Sequence, residues 1–280
     1  MSTPPSSTSR DSTPQPTLAS SGVEEPSTGE ERDQERARIA GLLDPHAPPD
    51  WEERFQRDQL LDAILDTTPL QMFVMAADIR ESTLLMKEAV HFEQFAKIMD
   101  KFVSAVRSGI GTPGGWFDKF TGDGFLAYWI APSTPEEAYQ RRFVEAAGNL
   151  AHTAHELIEL FHRRVLEDFR RNSRNLSDGV GLAIGLDAGP GFLVEIAGEL
   201  TLVGPPVVGA VRMVTAASRP QEIFANVYLG EHLHDEQDGI YEALGMTATR
   251  ESRPTKEYPK GQEVYSLDFS TDEGTGTEPT

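Results

Sequence analysis

Between Gln71 and Asp78 the run QMFVMAAD is apolar without interruption, and it constrains the fold more than any other segment. It falls far short of the ~18 apolar residues a membrane helix needs and has the length of a buried strand. Its last residue is an acid, and the polar turn Ile79-Arg80-Glu81-Ser82-Thr83 comes at once after it. Beyond it the hydrophobic period switches repeatedly. Thr83–Ser108 is helix-like, with Leu84, Met86, Phe95, Ile98, Met99 and Phe102 at helical spacing, and Thr112-Pro113-Gly114-Gly115 is turn chemistry. Trp116–Thr121 and Phe125–Ile130 flank Gly122-Asp123-Gly124 as two strands flank a hairpin turn. From Pro135 to about Asn175 the pattern is one long amphipathic helix. Gly179–Asp187 and Phe192–Val203 read as two more strands, joined through Ala188-Gly189-Pro190. A helix over Val207–Ser218, a strand over Glu222–Asn226 and a last pair of strands near Gly239–Leu244 and Glu263–Phe269 complete the order. This order predicts an α+β sandwich, a mostly antiparallel sheet with helices packed on it.

Composition sets limits on function. The 280 residues carry a net charge of −20, which repels nucleic-acid backbones and anionic lipid and argues against polyanion binding as the main role. With no cysteine there are no disulfides, thiolate metal sites or cysteine nucleophiles, and a reducing compartment fits. No apolar run is long enough to span a membrane, and the N-terminus lacks the apolar core of a secretory signal. A soluble cytoplasmic protein is the expectation. The first thirty residues hold 18 Ser, Thr or Pro, and no aromatic residue precedes Trp51. Residues 1–49 are therefore expected to be a disordered or linker segment, with a short charged helix over 31–42. Residues 50–269 form the expected folded unit, and 270–280 a flexible tail.

Two acids stand where metal chemistry wants them. Asp78 ends the first strand and Asp123 occupies the hairpin turn, so neighbouring strands would bring both carboxylates to one end of the sheet. Such a pair can hold two divalent ions about 4 Å apart, with phosphate oxygens of a substrate completing the coordination. The chain after Asp78 enters a helix, whose free N–H groups, with Ser82 and Thr83 as caps, offer a site for a triphosphate. Either acid alone is ordinary, since Gly-Asp-Gly is a common turn and Asp often precedes a helix. Taken as a pair, and inside the motifs that surround them, the two acids outweigh that ordinary reading.

The arrangement resembles the class III nucleotidyl cyclases, the adenylate/guanylate cyclase family, over about 70–235. FVMAADIREST is similar to that family's first metal strand, GGWFDKFTGDGFLAYW to its second metal hairpin, VGLAIGLDAGPGFLVEIAG to its Gly-rich hairpin and LTLVGPPVVGAVRMVTAA to its late helix. The resemblance implies that Asp78 and Asp123, with the Ile79 carbonyl, bind two Mg²⁺ or Mn²⁺ ions. It implies that Lys119 and Thr201 read the base and that Arg212 binds the triphosphate. It also implies a head-to-tail homodimer with two shared active sites. Two departures stand out. Val208 falls where the family has a transition-state asparagine, and Glu81-Ser82 replaces the usual Gly-Phe. DIR-x-ST-x-LM and FDKFTGDG look most like the Pycsar pyrimidine cyclases of bacterial anti-phage defence, which make cyclic UMP or cyclic CMP as a signal to a separate effector. That likeness implies a nucleoside triphosphate substrate, UTP before CTP, with ATP as the general alternative. Phe117 shares a strand face with Lys119 under strict alternation and is a candidate filler against purines, although a core role is ordinary for a phenylalanine. Val208 alone favours a different class, a catalytically silent nucleotide-binding module.

The histidines do not compete with this site. His152, His155 and His162 line one side of the long helix but lack the HExxH pattern and a completing carboxylate, and His232 and His234 near a loop read the same way. Arg163, Arg164, Arg170 and Arg171 are balanced by Glu156, Glu159, Glu167 and Asp168, which makes a charge-laced surface and not a nucleic-acid patch.

Overall fold

The structure, a computed structural model, describes residues 29–49, 51–131, 136–234, 245–255 and 257–270. The chain begins with three helices, α1 (Gly29–Leu43), α2 (Trp51–Arg54) and α3 (Arg57–Leu65). Strand β1 (Leu70–Arg80) is next, then α4 (Ser82–Glu88), α5 (Phe92–Gly111) and the hairpin of β2 (Trp116–Phe120) and β3 (Gly124–Ile130). The long helix is built as α6 (Glu136–Leu160), a π-helical turn (Phe161–Val165) and α7 (Leu166–Asn172). Then come β4 (Gly181–Ile196), β5 (Glu199–Val203), α8 (Pro205–Ala216), β6 (Ile223–Ala225), α9 (Val227–His234), β7 (Met246–Arg253) and β8 (Gln262–Phe269).

One eight-stranded sheet runs β2-β3-β1-β4-β6-β8-β7, with β5 on the outer part of β4, and every pairing is antiparallel except β4 with β6. The expected α+β architecture is the one observed. β1 lies between β3 and β4, and its side chains alternate between two cores. Phe73, Met75, Ala77 and Ile79 join the core under α5, α6, α7 and α9, whereas Met72, Val74 and Ala76 join the core under α1, α3 and α8. Both faces are dry, so the strand reads as unbroken apolar sequence and not as alternation. Burying each large side chain contributes roughly 1.5–3 kcal/mol, which makes β1 the centre of the fold.

Several local expectations need correction. The helix expected over Thr83–Ser108 is two helices, because Val90 leaves the spiral to donate its N–H to the Asn172 carbonyl at 2.8 Å. The strands expected on either side of Ala188-Gly189-Pro190 are one strand. Ala188, Gly189 and Pro190 pair with Phe73, Met72 and Gln71, and the turn lies at Ala197-Gly198. Both of those residues have positive φ (55° and 85°), as a two-residue hairpin of type I′ requires. The strand expected at Gly239–Leu244 lies outside the described residues, and β8 instead pairs with Met246–Arg253. The packed body also begins before the boundary at 50. Ile39, Ala40 and Leu43 of α1 are buried, Arg32 and Arg36 reach Asp62 of α3, and Arg38 reaches Glu195 of β4. The charged sequence of α1 concealed a short apolar face that needs the sheet to cover it.

Among the described residues no helix is long and apolar enough to cross a membrane.

Candidate active site

Register brings the two acids together. Asp78 stands opposite Gly124 in the β1–β3 ladder, and the Ile79 N–H donates to the Asp123 carbonyl at 2.9 Å. The strands meet this closely because residue 124 has no side chain. A Cβ on Gly124 would lie 1.9 Å from the Ala77 carbonyl oxygen. Asp123 sits in the turn after Gly122, whose φ of 104° suits glycine.

Ser82 Oγ donates to Asp123 Oδ2 at 2.7 Å, and the Arg80 guanidinium contacts Asp78 Oδ2. Burial pushes the Asp78 carboxyl above the ordinary range; Arg80 pulls it back and the neighbouring Asp123 charge raises it further. Two carboxylates that repel one another, one held by a hydroxyl and one by a guanidinium, make a hard-oxygen pair of the kind Mg²⁺ or Mn²⁺ prefers. Among the described residues no group of three or more His, Cys, Asp or Glu side chains converges.

Ser82 and Thr83 do not act as caps. Ser82 is buried and its hydroxyl is committed to Asp123, while Thr83 is exposed. The N-cap of α4 is Glu81, which makes no side-chain cap and adopts the left-handed conformation (φ 55°, ψ 26°). The glutamate thus takes the backbone shape that suits a glycine, at a cost of roughly 1–2 kcal/mol.

Phe117 and Lys119 also part company. Phe117 pairs with Ala127 and Lys119 with Leu126, which leaves Asp118 as the extra residue of a β-bulge. The bulge reverses the alternation, so Phe117 faces the core under α5, packed on Phe125 with Arg107 over its ring, while Lys119 is exposed on the other side. Phe117 is a core residue and not a filler against purines. Phe117→Ala should cost about 3–5 kcal/mol of stability and leave the ratio of rates among nucleotides unchanged, as denaturant melts and assays will check. A shifted ratio with unaltered stability would contradict this placement.

Lys119 lies beside Asp118, which contacts the Leu202 main chain of β5, one residue from Thr201. Arg212 is elsewhere, in an apolar groove of about 400 Å³ lined by Val207, Val208, Val211, Thr215, Thr255 and Glu257. Its Nε lies 2.8 Å from Glu257 Oε2, a charge contact, and its guanidinium stands 6.0 Å from the Tyr258 ring. Val208 is 51% exposed. Among the described residues no hydrogen bond or ion pair joins the acid pair, the Lys119 group and the Arg212 groove.

Asp187 was missed by sequence reasoning. Asp187 of β4 is 5% exposed and accepts from the Ala188 N–H and from Asn226 Nδ2, while the Asn226 Oδ1 caps α9 at the Leu229 N–H. Nearby, a Cβ on Gly185 would lie 2.2 Å from the Ala210 carbonyl, so α8 rests directly on β4. Burial raises Asp187 from 3.8 to about 7. Between those values the folded chain holds a proton that the unfolded chain releases, so this residue's contribution to stability falls as pH rises through the window. Asp187→Asn, which preserves shape and acceptor, should raise Tm by several degrees at pH 8 and by much less at pH 5. An equal shift at both pH values in thermal melts would contradict it.

No protein-family model and no curated protein matches the chain. Solved structures do match. The adenylyl cyclase CyaB from P. aeruginosa aligns with a TM-score of 0.57 at 16% identity, over 72% of this chain and 96% of that one. The guanylyl cyclase Cya2 gives 0.54 at 16% identity, over 74% and 96%. The guanylate cyclase domain of RhGC from Catenaria anguillulae, solved with GTP, gives 0.52 at 16% identity, over 72% and 98%. The mostly antiparallel sheet and its covering helices thus give this chain the fold of the class III adenylyl and guanylyl cyclase domains.

Proposed function

We propose that the chain is a nucleotidyl cyclase, converting a nucleoside triphosphate to its 3′,5′-cyclic monophosphate and pyrophosphate as a head-to-tail homodimer with shared sites. The observation that carries this reading is the meeting of Asp78 and Asp123 beside Ser82 at the end of the β1–β3 ladder. Those carboxylates, with the Ile79 carbonyl, would hold two Mg²⁺ or Mn²⁺ ions. When bound there, the cations supply Lewis acidity, lowering the pKa of the ribose 3′-hydroxyl and neutralising phosphate charge.

The chain's own groups do the rest. Arg212 pairs with the triphosphate and stabilises charge that grows as the bond from the α-phosphorus to the leaving oxygen breaks. Lys119, a pure donor, meets an acceptor on the base, with Thr201 as its companion. The 3′-oxygen forms the new bond to the α-phosphorus, its proton passes to solvent, and pyrophosphate departs. Among the described residues Arg212 pairs with Glu257 and the acid pair with Arg80 and Ser82, which supports a site completed across two subunits. Exposed apolar side chains beside the expected site residues support the same reading: Phe120 next to Lys119, Val208 and Val211 next to Arg212.

The finer reading is a pyrimidine substrate, UTP before CTP, with the product acting as a messenger to a separate effector in anti-phage defence. Its support is the motif likeness around Asp78 and Asp123 together with Glu81, Ser82 and Val208; Phe117 no longer contributes. Val208 favours the alternative of a silent binding module, since its isopropyl group cannot hold a ribose by a hydrogen bond. One experiment separates these readings. Purified protein is incubated with each of UTP, CTP, ATP and GTP and Mn²⁺, and products are read by mass spectrometry. Cyclic UMP or cyclic CMP as the main product supports the full reading. Faster turnover of ATP or GTP overturns the pyrimidine preference alone. Binding without any cyclic product overturns the enzyme.

A further inference from the structure

The bulge in β2 places an acid that no expected role explains. Asp118 is 6% exposed, and among the described residues its buried Oδ2 has no closer polar contact than the Lys119 ammonium. Burial pushes its carboxyl up; the neighbouring Lys119 charge, the Leu202 main chain and His46 act against that. Among the described residues its ion-pair partner is Lys119, with Nζ 3.4 Å from Oδ2. The buried Tyr128 belongs to the same core as Leu126 and Leu202, and the His46 ring is taken up by the Phe117 carbonyl at 2.8 Å. A carboxylate left half-satisfied in such a place costs the fold free energy unless something uses it.

The bulge supplies the use. Strict alternation would send residues 118 and 119 to opposite faces, but the extra residue lets both side chains approach one another. A lysine head on a flexible four-carbon stem sweeps a wide volume and is a poor ruler. Tied to a carboxylate that is itself anchored against β5, it presents its remaining N–H donors at one height above the β2–β5 junction.

We propose that Asp118 is a positioning residue for Lys119: its buried carboxylate fixes where the lysine ammonium stands, and so sets which base the site accepts. This rests on the reading of Lys119 as the base-contacting donor. A donor held at one height meets the acceptor edge of a base of one size, whereas a loose donor meets several.

The test uses the full chain and five proteins: wild type, Asp118→Asn, Asp118→Glu, Lys119→Ala and the double variant Asp118→Asn with Lys119→Ala. Asp118→Asn is isosteric, and a thermal melt checks each fold. Affinity for UTP, CTP, ATP and GTP is measured by titration calorimetry with Mn²⁺, using analogues blocked at the bond between the α- and β-phosphates, and KM and kcat are measured wherever turnover occurs. In the wild-type background, Asp118→Asn should weaken binding of the preferred nucleotide about tenfold, raise its KM to match and leave kcat within about threefold. The other nucleotides should change less, so discrimination narrows. In the Lys119→Ala background the same substitution should change nothing, and Asp118→Glu should restore part of the loss. An equal loss for all four nucleotides, or the same loss with and without Lys119, would mean that Asp118 only supports the fold and would overturn the proposal. If Lys119→Ala itself leaves affinity and preference unaltered, the base-contacting role of Lys119 fails and takes this proposal with it. Turnover by wild type in that case leaves the cyclase reading standing.

Discussion

Replacing either Asp78 or Asp123 by alanine should lower turnover at least a hundredfold while the protein keeps its fold. On the proposed reading each variant removes one of the two carboxylates that would hold the cations, so affinity for the cations and for the substrate's phosphates falls together. The stability cost should be small, because neither side chain is fully buried. Asp123→Ala leaves the Ser82 hydroxyl without its acceptor, worth about 1 kcal/mol. Asp78→Ala removes the counter-charge of Arg80 but also relieves the repulsion from Asp123. Circular dichroism, thermal melts and initial rates measured in parallel decide the matter. Retention of more than about a tenth of the wild-type rate by both variants would refute the two-carboxylate site.

An equimolar mixture of Asp78→Ala and Arg212→Ala proteins, each nearly inactive alone, should recover about a quarter of wild-type activity once subunits exchange. In a mixed dimer one shared site carries both lesions and the other carries none. The expectation comes from the placement of Arg212, whose groove is lined by α8 and by Thr255 and Glu257, while the acid pair stands at the end of β1. A site lying wholly within one chain would stay dead in every mixture. Native mass spectrometry confirms exchange, and mixed dimers that form without activity would rule out the shared site.

Much of the site's first half was legible because it is local. Asp78 and Asp123 each sit at a strand terminus marked by a change of period or by turn residues, and ladder register alone then brings them together. Features that depend on a break in regularity were not legible. The expected face shared by Phe117 and Lys119 assumed an unbroken alternation, and one bulged residue moved the phenylalanine into the core. The caps expected of Ser82 and Thr83 failed because the helix starts at Ser82, which puts Glu81 at the N-cap position and both hydroxyls inside the first turn. At Ala188-Gly189-Pro190 turn-forming composition was overridden by eleven residues of pairing between β1 and β4.

By itself the sequence determined the elements whose signal is periodic and strong: β1, the Gly-Asp-Gly hairpin, the long helix and the α+β class. It also determined which carboxylates end up at a strand end, because apolar runs and glycine turns encode burial and direction within a few residues. Tertiary structure alone decided which side each residue faces after a bulge and that α1 belongs to the packed body. It also decided that Asp118 and Asp187 are buried acids with specific partners. Those outcomes depend on contacts between segments far apart in the chain, where desolvation and pairing outweigh local preference, and no window of sequence contains both partners.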